Sequence, residues 1–137
     1  MKVLVGGCFD LLHYGHVRFL EEAKKLGNTL IVALESDENV RKMKGDGRPI
    51  HTQQQRKEML EALSCVDEVI ALPPMNTHQD YYDLVTRVAP NIIAITEGDP
   101  LEANKKEQAA KAAARLVVIP KISTPSTSQL AKLLGLD

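Results

Sequence analysis

Five short apolar runs punctuate an otherwise polar chain: Val3-Leu4-Val5, Leu30 to Leu34, Val69 to Leu72, Ile92 to Ile95 and Leu116 to Ile119. Each is continuous rather than alternating, the pattern of strands covered on both faces, as in a parallel sheet. Between the runs lie stretches of helical period. Phe19, Leu20, Ala23 and Leu26 fall on one face of a helix expected over 17–26, which Gly27 can close. Thr52 with Gln55 fits a capping box ahead of a helix over 56–63. Asp99-Pro100 with Glu102 fits another, and Ser126 with Gln129 a third, ahead of a short helix over 127–134. Tyr81 and Tyr82 open a further helix, in which Leu84, Val85 and Val88 suggest ordinary packing. Five strands alternating with helices define a doubly wound, Rossmann-like α/β fold with a five-stranded parallel sheet and right-handed crossovers. No repeat, low-complexity tract or linker interrupts the pattern, so residues 1–137 read as one domain.

Ligands on such sheets sit beyond the carboxyl ends of the strands. The loops there are 6–16, 35–52, 73–78, 96–101 and 120–126, and the site is expected among them. Composition narrows the class. With 44% hydrophobic and 26% charged residues the chain reads as an ordinary globular protein. A net charge of −1 provides no overall attraction to nucleic acid or to an anionic membrane. Cys8 and Cys65 are too few for a disulfide framework and lack metal-binding spacing. The sequence enters a strand directly, without a signal peptide or an apolar run of membrane-spanning length, so the expected location is cytoplasmic.

The first loop carries the chemistry. Gly6-Gly7-Cys8-Phe9-Asp10-Leu11-Leu12-His13-Tyr14-Gly15-His16 joins the first strand to the first helix. Gly6 and Gly7 allow a sharp turn and close approach of a ligand, so that phosphate oxygens can accept from the Cys8 and Phe9 amides at a positive helix end. His13 and His16 stand at i and i+3, on one side of a helical turn, and Gly15 between them leaves room for a nucleotide. Two ring donors aimed at one anion would stabilise charge developing on a phosphorus. A surface histidine pair, a zinc site and a dinucleotide loop are the alternatives. The dinucleotide loop lacks the third glycine of its motif, and the zinc site lacks a third ligand at metal spacing.

Gly7-Cys8-Phe9-Asp10 followed by His13-Tyr14-Gly15-His16 resembles the G-x-F-D and H-x-G-H signature of the cytidylyltransferase-like nucleotidyltransferases, whose fold is the HIGH-type variant of the doubly wound sheet. Cys8 stands where many members have threonine. Further segments extend the resemblance from residue 2 to about residue 134. Lys42-Met43-Lys44-Gly45 is similar to the family's K-x-K-G segment and assigns Lys44, ahead of Lys42, to the substrate phosphates. Arg56, in a helical first turn that the dipole reserves for acids, is implied as a phosphate ligand. Asp99 lies in a turn that touches the nucleotide in the family, although here it can equally cap a helix. Residues 120–130 resemble the family's R-T-E-G-I-S-T-T-x-I segment, which places Ser126 and Thr127 on a phosphate and substitutes Lys121 for the arginine.

The resemblance implies nucleotidyl transfer: an acceptor phosphate attacks the α-phosphorus of a nucleoside triphosphate and pyrophosphate leaves. His13, His16 and Lys44 would act in catalysis. Gly7, Cys8, Phe9, Gly15, Arg56, Asp99, Ser126 and Thr127 would bind the nucleotide, and a Mg2+ ion would bridge its phosphates. Gly45-Asp46-Gly47-Arg48-Pro49 is closest to adenylyl-transferring members, which favours ATP, with FMN as an expected acceptor. Glycerol 3-phosphate with CTP, a sugar phosphate with ATP, and a non-catalytic nucleotide-binding module are the alternatives. His78 is a candidate contact to the acceptor. Homodimers are common among family members.

Overall fold

The computed structural model describes residues 1–122, 129 and 132–135. Its elements run β1 (Lys2–Gly7), α1 (Tyr14–Lys24), β2 (Thr29–Leu34), α2 (Asp37–Lys44), α3 (Gln53–Glu61), β3 (Glu68–Ala71), α4 (His78–Val88), β4 (Ile92–Thr96), α5 (Glu102–Lys111) and β5 (Arg115–Ile119). The strands pair in the order β3-β2-β1-β4-β5, every pair parallel. The chain therefore leaves β1 to one side and returns to its other side at β4. The first and fourth strand loops diverge at that switch point, where doubly wound sheets bind ligands.

The continuous apolar runs have the predicted cause. Val3 and Val5 enter one core with Leu20 and Ala23 of α1 and Leu60 of α3. Leu4, between them in sequence, enters a second core with Leu84 and Val85 of α4 and Ala109 of α5. Adjacent residues on a strand face opposite sides, so a sheet covered on both faces needs apolar residues at every position. Burying one such side chain contributes roughly 1.5–3 kcal/mol. The edge strands β3 and β5 keep exposed positions, with Val118 of β5 44% exposed.

Several expected boundaries move. Helix α1 begins at Tyr14 instead of residue 17, because His13 caps it. Its C-cap is Lys25 in the right-handed region, and Gly27 does not adopt a left-handed conformation. Gly27 is needed for proximity instead: a Cβ there would lie 2.6 Å from the Met1 carbonyl oxygen. The expected loop over 35–52 contains helix α2, capped by Ser36, whose Oγ accepts from the Asn39 N–H. Its only buried apolar side chain is Val40, too weak a periodic signal to register in the sequence. The Thr52–Gln55 capping box forms, with α3 starting at Gln53. No box forms at Asp99. The cap of α5 is Leu101, without a side-chain bond, and the Asp99 carboxylate accepts from the Leu101 N–H and from Lys105 Nζ. The expected box at Ser126 lies outside the described residues.

Candidate active site

The β1–α1 loop is bent by strain and held by one carboxylate. Phe9 and Leu11 both have positive φ, 46° and 56°, a conformation that costs a non-glycine residue of order 1–3 kcal/mol. Between them Asp10, 1% exposed, accepts from the Ile50 N–H (2.7 Å), the His51 N–H (3.0 Å) and Arg48 Nε (2.8 Å). Burial alone would raise the Asp10 carboxyl, but these hydrogen bonds outweigh it and hold the group below the usual carboxylate range. The strained turn is thus tied to the chain beyond α2. Gly7 is required for a packing reason, since a Cβ there would lie 2.9 Å from the Phe9 ring. The amides of Cys8 and Phe9 find no acceptor among the described residues.

The histidine spacing has a structural cause that spacing alone did not reveal. His13 Nδ1 accepts from the Gly15 N–H (3.1 Å), and His16 Nδ1 accepts from the His13 N–H (3.3 Å). The two rings form the capping box of α1, and a capping box needs residues at N-cap and N3, three apart. An Nδ1 that accepts carries no proton, so each neutral ring holds its hydrogen on Nε2. The rings stack with centroids 3.9 Å apart, and Phe9 meets His16 edge-on at 5.6 Å. Burial lowers the pKa of His13. Burial, followed by the neighbouring His13 and Lys44, lowers that of His16 to about 4. Both rings are therefore neutral donors at pH 7.

These rings line a cavity of about 570 Å³, together with Gly7, Cys8, Phe9, Gly15, Lys44 and Asp99. All of these were expected at the site. Lys44, at the C-terminus of α2, is exposed and forms no ion pair among the described residues. Burial raises the pKa of the Cys8 thiol, so its amide and not its sulfur is the group suited to an anion. Asp99 reaches the cavity already paired with Lys105. Ser126 and Thr127 lie outside the described residues.

Arg56 departs from its expected role as a phosphate ligand. It is 1% exposed, and its guanidinium donates to the carbonyls of His51 (3.1 Å), Cys8 (2.8 Å) and Glu35 (3.0 Å) and to the Asp37 carboxylate (2.7 Å). A buried arginine with its fork occupied is a strut for the loop, not a ligand. Its place in a helical first turn is explained by Asp37 and the carbonyls. Arg48 was the missed partner. It is 4% exposed and paired with Asp10, and its Nη2 has no partner among the described residues.

A second cavity of about 390 Å³ adjoins the first and shares Gly6, Gly7, Cys8, Met43, Ala94, Leu101 and Lys105 with it. Asn39 builds its wall by pairing its amide with the Met75 backbone in both directions, at 2.8 and 2.9 Å. His78 lines it from the first residue of α4 instead of from a loop. Tyr81, expected as plain packing, donates to the buried Glu35 carboxylate there. Neither Glu35 nor Tyr81 has a motif. Only the return of α4 across the end of β2 brings them together.

Comparison with known proteins agrees with this geometry. The family described as cytidylyltransferase-like matches residues 4–130, and the chain belongs to that family of nucleotidyltransferases. It is 39% identical over 132 residues to the "Bifunctional protein HldE" of Coxiella burnetii (strain Dugway 5J108-111), covering 95% of this chain and 27% of that protein. The protein of the same name from Hydrogenovibrio crunogenus is 48% identical over 91 residues, 66% of this chain and 18% of the relative. The chain thus spans about a quarter or less of the length of these relatives. Among solved structures, a lipopolysaccharide core biosynthesis protein from Thermoplasma volcanium GSS1 superposes with a TM-score of 0.70 at 27% identity, over 90% of this chain and 98% of that one. The pantoate-beta-alanine ligase of Francisella tularensis shares the fold at a TM-score of 0.66 and 16% identity, over 96% of this chain and 64% of that one. No described helix is long and apolar enough to cross a membrane.

Proposed function

We propose that this chain transfers an adenylyl group from ATP to the phosphate of a sugar phosphate, releasing pyrophosphate. The observation that carries the reading is the histidine capping box, which commits both Nδ1 atoms to the backbone and leaves Nε2–H donors on rings that line the larger cavity. An oxygen of the acceptor phosphate forms a bond to the α-phosphorus while the bond from that phosphorus to the bridging oxygen breaks. A phosphate monoester is largely dianionic at neutral pH, so no base has to remove a proton. His13 and His16 donate to α- and β-phosphate oxygens as charge moves toward pyrophosphate, the Cys8 and Phe9 amides cradle the α-phosphate, and Lys44 offsets charge farther along.

Mg2+ fits this site only as the companion of the nucleotide. Asp10 and Asp99 are both committed to partners in the chain, so the phosphates and water would hold the ion. Bound there it would neutralise charge on the phosphate oxygens.

The 45–49 segment supports ATP, and the 27% identical relative of lipopolysaccharide core biosynthesis supports a carbohydrate acceptor. Asn76, His78, Asn104 and Gln108 line the smaller cavity with groups suited to hydroxyls. FMN is the second reading, favoured by Leu4, Leu72, Met75, Leu84, Val85 and Ile93 on the same walls, which suit a flat ring. Pyrophosphate release separates these readings when ATP and CTP are each paired with sugar 1-phosphates (a heptose 1-phosphate among them), FMN and glycerol 3-phosphate. Release with ATP and a sugar 1-phosphate is expected. Release with FMN or with CTP alone replaces this reading, and no release with any pair assigns a binding module instead.

A further inference from the structure

Glu35 is a buried carboxylate that nucleotidyl transfer as derived above does not use. It follows β2, is 6% exposed and lines the smaller cavity. Its backbone is fixed at both ends. The N–H donates to the Gly7 carbonyl (3.1 Å), and its own carbonyl accepts from Arg56 Nη1 (3.0 Å). The carboxylate therefore stands at a set position from the amides that follow Gly7. The Tyr81 hydroxyl lies 3.1 and 3.2 Å from its two oxygens. One O–H cannot satisfy a group with about four acceptor positions. No other hydrogen bond reaches the Glu35 side chain among the described residues.

A buried acceptor with unused capacity is costly unless a donor arrives. Lys105, held by Asp99, lines the same cavity, so the wall already carries a cation and has no need of a second. An anionic body would face Glu35 at close range in a low dielectric. Neutral donors fit both constraints. Resting on the sugar-phosphate reading above, we infer that Glu35, oriented by Tyr81, is a specificity-determining residue that accepts hydrogen bonds from hydroxyls of the acceptor's sugar ring while the acceptor phosphate lies toward the β1–α1 loop. Mutual orientation of hydroxyls and phosphate is then set by the Glu35–Gly7 backbone bond, so the carboxylate also aligns the attacking oxygen.

The test uses the full chain with ATP, the sugar 1-phosphate of highest turnover and its singly deoxygenated analogues, with pyrophosphate release as the readout. Glu35→Gln is expected to lower kcat/KM for the sugar phosphate about 10- to 100-fold and to leave the KM for ATP unchanged. Wild type should discriminate strongly against the analogue that lacks the contacted hydroxyl, and Glu35→Gln should lose most of that discrimination, a coupling that a merely structural role would not produce. Tyr81→Phe removes only the orienting hydroxyl, should show a smaller change of the same kind, and decides the matter if Glu35→Gln fails to fold. Wild-type discrimination retained in the folded variants overturns the inference while leaving the transfer reading intact. Absence of turnover by wild type with every sugar phosphate overturns the transfer reading, and the inference with it.

Discussion

The two cavities meet at Gly7 and Cys8 yet are built in opposite ways. The larger one takes its chemistry from a contiguous stretch, residues 7–16, whose backbone is strained, tethered and capped by its own side chains. The smaller one draws on the end of β2, helix α2, the loop before α4, and helices α4 and α5, and none of these supplies more than a few side chains. Under the proposed reading, the first holds the chemistry common to nucleotidyl transfer and the second distinguishes one acceptor from another. A tethered loop also fails as a unit, whereas a wall assembled from several elements can change one side chain at a time.

The largest expected effect tests the tether. Asp10→Ala leaves Arg48 buried and unpaired and releases the Phe9–Leu11 turn, so stability should fall by about 3–5 kcal/mol in urea unfolding. A loss below about 1 kcal/mol would show that the loop holds its shape without the carboxylate.

Next come the rings. His16→Ala should lower turnover by several hundred-fold, with ATP binding less affected, in the range seen when one transition-state donor is removed. Near-normal turnover would sink the assignment of the loop. Capping and catalysis separate at His13. Asparagine also serves as an N-cap, so His13→Asn should stay within roughly 0.5 kcal/mol of wild type yet lose turnover, whereas His13→Ala should lose turnover and about 1 kcal/mol. A His13→Asn variant as active as wild type would reduce that ring to a cap.

A further effect lies in the proton balance. Burial lowers the His16 pKa from its ordinary 6.5 to about 4 in the fold. Between those values the unfolded chain binds a proton that the folded chain refuses, so stability falls as pH is lowered from 6.5 toward 4 and is unaffected by this group above 6.5. Ring NMR should place the His16 midpoint near 4, and a midpoint near 6.5 would mean that the ring is not buried beside His13 and Lys44 as described.

The contrast between the cavities also marks how much was readable beforehand. The five strands, their parallel sense and the positions of the first-loop residues follow from local signals: apolar runs, glycines, and a histidine pair within one turn. Arg56 was misread because its partners, Asp37 and the Cys8 and Glu35 carbonyls, come from loops distant in sequence. Helix α2 escaped notice because it buries so little apolar surface. Tyr81 looked like any helical aromatic until the fold set it against Glu35.

By itself, then, the sequence determined the layered fold and the glycine–histidine loop at the end of its first strand, because each is encoded by residues within a turn or two of one another. Tertiary structure alone decided that the histidine spacing is a capping box, that Asp10 and Arg56 are braces, and that a carboxylate and a phenol meet on the wall of the smaller cavity. Those outcomes depend on which side chains a crossover brings within 3 Å or so of each other, and no local pattern carries that distance.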